Sequence, residues 1–116
     1  MSDFFTSEMV RGDLQEITDL QMYCVRASSM LLALSPEKVL EYYDVLMTLI
    51  DKQKTFYARL SLSEDPEAKE MADMMRDMTI MLGANPNESM YAMFDELISR
   101  VQEMKQQLLD KLAQEP

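Results

Sequence analysis

The sequence has no histidine and no tryptophan, and it holds one cysteine, two glycines and four prolines in 116 residues. Each scarcity excludes something. Without histidine there is no usual general base, no common zinc site and no Glu-x-x-His motif of a di-iron bundle. Serine–histidine and cysteine–histidine catalysis are likewise closed to a single chain. Neither Gly12 nor Gly83 lies in a glycine-rich phosphate loop, so no nucleotide motif is present. A sheet protein of this size would need more turn residues than these few glycines and prolines supply. Cys24 alone cannot form an internal disulfide, which fits a reducing compartment. Its helical, apolar surroundings predict a buried thiol rather than a reactive one.

Positive charge is also scarce. The net charge is −10, and most of the excess lies after residue 60, where twelve acids face five bases. That argues against direct nucleic-acid binding, which requires cationic groups along the phosphates. The longest uninterrupted apolar run, Met30-Leu31-Leu32-Ala33-Leu34, is far shorter than the roughly 20 residues that cross a bilayer, so no membrane partner is expected. The first residues show no basic stretch before an apolar core, and no signal peptide is expected.

What is present is helical periodicity. At 47 % hydrophobic, the chain has ample material for a core. Apolar residues recur in steps of three and four along four segments. The predicted architecture is all-α and elongated: one helical domain over 1–116, with helices at about 7–34, 36–61, 66–82 and 86–113. Phe4-Phe5-Thr6 opens the first, with Thr6 as cap and Phe5 and Val10 as a hydrophobic staple. Gly12 costs that helix about 1 kcal/mol relative to alanine. Ala27-Ser28-Ser29 offers either a close approach for another helix or plain surface. Ser35-Pro36, Asp65-Pro66 and Asn85-Pro86 each place a capping side chain before a proline, the signature of a helix start. Glu88 completes a capping box at the third of these. Ser35-Pro36 leaves almost no linker, so either the first helix frays near Ala33 or the two helices meet at a corner. Ser63 rivals Asp65 as a cap, and Glu64, Asp65, Glu67 and Glu70 suit the positive end of the helix dipole. Gly83 suits a left-handed C-terminal cap. The last helix reads as a heptad through Met90, Phe94, Leu97, Val101, Met104, Leu108 and Leu112.

Two helices of about 28 residues would be about 42 Å long, against a diameter of about 35 Å for a compact chain of this size. Their apolar faces run to the ends, so a homodimer is the expected cover. The thirteen methionines are the strongest compositional anomaly. Met71, Met74, Met75, Met78 and Met81 form a stripe with three competing uses, in order of preference: core packing, an adaptable protein-binding groove, and thioether coordination of Cu(I). Together with Phe4 and Phe5 they are the candidate interaction surface. The aromatics Tyr23, Tyr42, Tyr43, Phe56, Tyr57, Tyr91 and Phe94 are read as core or interface. Glu67/Glu70 and Asp73/Asp77 are paired carboxylates one turn apart, and a solvated face is the expected reading. No catalytic, cofactor or metal residue is predicted.

Several strings resemble a small family of unknown function found in cyanobacteria and in the phages that infect them. They are Phe4-Phe5 with Ser7-Glu8-Met9-Val10; Phe56, Arg59, Leu60 and Leu62-Ser63-Glu64-Asp65 with Ala68 and Met71; and Leu82, Gly83, Pro86, Met90, Met93, Arg100, Met104-Lys105 and Leu108. Residues between about 20 and 42 match it poorly. The resemblance implies a cytoplasmic protein of a marine cyanobacterium or cyanophage, and it brings no functional residues. The expected function is a non-enzymatic interaction or regulatory module with a protein partner. The alternatives are an acidic nucleic-acid mimic that fills a basic cleft and a carboxylate/divalent-metal enzyme.

Overall fold

The structure, a computed structural model, describes residues 3–115. It is all-α: a single turn α1 (Asp3–Thr6), then α2 (Glu8–Ser29), α3 (Pro36–Leu62), α4 (Pro66–Met81) and α5 (Met90–Gln114), with a 3₁₀ turn at Leu31–Ala33. The molecule measures 60 × 32 × 19 Å, and its radius of gyration of 16.7 Å exceeds the roughly 13 Å of a compact chain this long.

The central rod is α3. Its sequence carries adjacent apolar pairs seven residues apart: Tyr42-Tyr43, Leu49-Ile50 and Phe56-Tyr57. Neighbouring helical residues point about 100° apart, so each pair serves two faces at once. Leu49, Phe56 and Leu60 join Val10, Ile17 and Cys24 of α2 and Ala68 and Ala72 of α4 in one buried cluster. Ile50 joins Met90, Phe94 and Val101 of α5 in a second. Periodicity alone suggested one face on this helix; the pairs are what make it two.

Ion pairs mark the directions. Arg59 meets Asp13 and Lys52 meets Glu16 at 2.6 Å, so α2 runs antiparallel to α3. Lys54 meets Asp95 and Lys105 meets Asp44, both at 2.6 Å, so α5 is antiparallel as well. Thus α2 and α5 run the same way along two faces of α3.

Three expected boundaries move, each for a local reason. The first helix ends at Ser29, not at 34. Ser28 and Ser29 hydroxyls donate to the carbonyls of Val25 and Arg26, and Met30 N–H donates to Ala27, tightening the last turn. Met30–Ser35 then forms the linker that the hairpin needs. The last helix starts at Met90 rather than near 86. Asn85 Oδ1 accepts the Asn87 N–H at 2.9 Å in a closed local turn, and Ser89 takes over the cap by accepting from Ala92 at 3.1 Å. The expected capping box at Glu88 does not form. At the front, Ser7 stands at the cap position of α2 in place of Thr6, and its hydroxyl makes no capping bond. Phe5 still packs on the first cluster, held by the separate turn α1. Elsewhere the caps follow the sequence: Ser35 accepts from Lys38 and Asp65 from Glu67, while Ser63 accepts the Asp65 N–H.

The α5 heptad is rotated from expectation. Phe94 and Val101 are buried, but Leu97 and Met104 are exposed, while Ile98 and Lys105 are half-buried in their stead. A straight helix meeting one neighbour drifts off a strict seven-residue repeat, and the Lys54–Asp95 and Lys105–Asp44 pairs flank the face that results.

Burial is concentrated at one end. Around the second half of α3 lie α1, the first half of α2, α4 and the start of α5. Around its first half lie only the ends of α2 and α5. No side chain from 25 through 48 is buried, and none after Val101 among the described residues. Val39 and Leu40, half-buried, join neither cluster.

Candidate functional site

The methionine stripe divides. Ala68 and Ala72, fully and almost fully buried, let the α4 backbone sit close against α3, and only Met75 of the five methionines turns inward, touching both buried clusters. Met71, Met74, Met78 and Met81 follow in steps of three, four and three along one flank. They are 37, 58, 61 and 85 % exposed. Core packing, the preferred use for the stripe, therefore holds for Met75 alone. Phe4 and Phe5, the other candidate surface residues, are half-buried against the core, with the Phe4 ring 6.1 Å from that of Phe56.

The charges of α4 are segregated about this flank. Glu67 heads the row, one turn before Met71. Glu70 and Asp77 adjoin Met74 and Met81 at helical neighbour spacing. Lys69 and Arg76 lie on the opposite flank, and Arg76 donates to the Pro86 carbonyl at 2.8 Å. Among the described residues, none of Glu67, Glu70, Asp73 and Asp77 joins an ion pair. The carboxylates of Asp13, Glu16, Asp44 and Asp95, by contrast, are each matched by a base across a helix interface.

Other concavities are less distinctive. A cleft of about 620 Å³ lies between the end of α4 and the first half of α5, lined by Leu82, Met93, Leu97 and the Glu96–Arg100 pair among others. A polar groove of about 200 Å³ between α2 and α3 contains Asp51 and Thr55 beside the paired Asp13, Glu16, Lys52 and Arg59. Nothing in the sequence pointed to it, because its residues come from two helices in antiparallel register. Lys52 is held above its ordinary range by its hydrogen bond to Glu16. Burial pushes up the Cys24 thiol and the Tyr42 phenol. Cys24 is buried and free, as a packed thiol should be. Among the described residues, no three carboxylates or thiols gather closely enough to hold a metal ion, and no helix is long and apolar enough to cross a membrane. Comparison with known families, with characterised proteins and with solved structures finds no match.

Proposed function

We propose that this chain is a non-catalytic protein-interaction module, a single helical domain acting through apolar helix surfaces. The observation that carries this is the exposed row Met71, Met74, Met78 and Met81, four flexible thioethers kept out of a core that had room for only one. Methionine-rich surfaces repack around a partner with little cost in specificity of shape.

The open end of the molecule supports self-association as well. There, Leu32 is wholly exposed and Met30 largely so, beside the half-covered apolar residues of α3. Glu41 and Asp44 at that end are matched by Lys38 and Lys105, which lowers the like-charge cost of bringing two copies together. A two-fold dimer through the open ends gives each α3 the neighbour it lacks. The acidic-mimic alternative is weakened, because six of the twelve carboxylates on α2, α3 and α5 are engaged by lysine or arginine. From the family resemblance we propose a cytoplasmic protein of a cyanobacterium or cyanophage.

The decisive comparison is retention of lysate proteins by the full chain and by an M74E/M78E variant of equal helical content. Proteins held by the first and released by the second identify the partner; identical retained sets would dismiss the α4 surface. Light scattering of the full chain and of L32E tests the dimer. A concentration-independent monomer would end that part of the proposal.

A further inference from the structure

We infer that the methionine flank of α4 receives a cationic amphipathic helix. The inference rests on the interaction function proposed above and names the class of partner.

Three observations select this occupant. The row Met71, Met74, Met78 and Met81 has heptad spacing, which is the spacing at which a second helix presents its own apolar residues. Its outer edge is acidic, with Glu70 and Asp77 one turn from Met74 and Met81. Those carboxylates have no cationic partner among the described residues, and the two bases of α4 lie on the far flank. A second copy of this chain is the wrong occupant, since two such edges would bring unpaired acids together at close range. An anionic membrane surface is repelled for the same reason. A helix with leucine or phenylalanine along one face and lysine or arginine along its borders satisfies both the thioethers and the carboxylates. The apolar contact supplies affinity, and the charges supply orientation and selection against acidic helices.

The test uses the full chain and three synthetic helical peptides of about 20 residues, a length that gives roughly five turns. The first has a leucine face bordered by lysine, the second the same face bordered by glutamate, and the third the composition of the first with its pattern scrambled. Calorimetric titration should show binding of the first only, weakened about tenfold by E70Q/D77N and by raised salt, and weakened at least as much by M74A/M78A. Equal binding of the lysine and glutamate peptides would overturn the choice of partner while leaving an apolar docking surface intact. Equal binding of the scrambled peptide would reduce the effect to net charge and also overturn it. Failure of all three peptides, with lysate proteins still retained in a Met74- and Met78-dependent way, would overturn the cationic helix alone. Failure of both experiments would remove the interaction function itself.

Discussion

The backbone N–H of Phe4 donates to Asp65 Oδ2 at 3.1 Å, across 61 residues of sequence. The other oxygen of the same carboxylate accepts the Glu67 N–H at 2.9 Å and caps α4. One side chain therefore closes a helix start and ties down the first turn of the chain, which carries Phe4 and Phe5 onto the core. Asp65→Ala should cost about 1–2 kcal/mol, the usual range for a lost cap, and should speed proteolysis near Phe4. Asp65→Asn should recover only the cap, since its amide oxygen can accept from Glu67 while its amide nitrogen, a donor, cannot replace the oxygen that accepts from Phe4. Urea denaturation of both variants checks this, and equal losses would contradict it.

The two glycines should respond in opposite directions to alanine. Gly12 lies within α2, and a Cβ there meets nothing within 4 Å. Gly12→Ala should stabilise by roughly 0.5–1 kcal/mol through helix propensity. Gly83 follows α4 with φ +110° and equally open space. Gly83→Ala should destabilise by about 1–2 kcal/mol from backbone strain alone. Thermal melts of the pair should move apart, one up and one down.

Leu60 is fully buried, at the point where α3 packs against both α2 and α4. Leu60→Ala should cost about 2–5 kcal/mol, the range for a leucine cavity in a packed core. Leu97→Ala, at an exposed position of the expected heptad, should cost well under half of that. Comparable losses in chemical denaturation would mean that the α5 face is wrongly placed.

Alkaline pH should weaken the fold. The folded chain holds the Cys24 and Tyr42 protons more tightly than the unfolded chain because burial disfavours the charged forms. Their contribution is fully present below the ordinary thiol range, and it is lost as pH rises through the raised folded-state values. The urea midpoint should stay flat near neutrality and fall above roughly pH 8.5. Cys24→Ala should remove the earliest part of the fall. A wild-type midpoint unchanged well into the tyrosine range would contradict this.

Peroxide should discriminate among the methionines by exposure. Met81, Met9, Met78 and Met74 should become sulfoxides first, with Met22 and Met30 close behind, Met71 later, and buried Met90 last. Peptide mass mapping over a time course gives the order directly. Early oxidation of Met90 would show that the α5 cluster opens readily.

Four helices, the proline-led starts at Ser35-Pro36 and Asp65-Pro66, and the buried thiol were legible in the residues because each depends on neighbours within a turn or two. Ser35 and Asp65 cap where their side chains can reach the next N–H groups. Asn85 did not, since it satisfied its oxygen in a local turn and Ser89 competed successfully for the helix start. Ser28 and Ser29 ended α2 by bonding backwards, a choice that composition leaves open.

Sequence by itself determined that this chain is helical, where its main breaks fall and which side chains it lacks, because periodicity, capping and composition are local quantities. Only the tertiary structure decided which side of each helix is inside. The methionines of α4 are equally apolar, yet Ala68 and Ala72 draw the backbone against α3 and leave room for Met75 alone, so its four companions face outward. That outcome depends on the distance between two helix axes, which is set by small residues packing at the contact and not by the hydrophobicity of the larger ones.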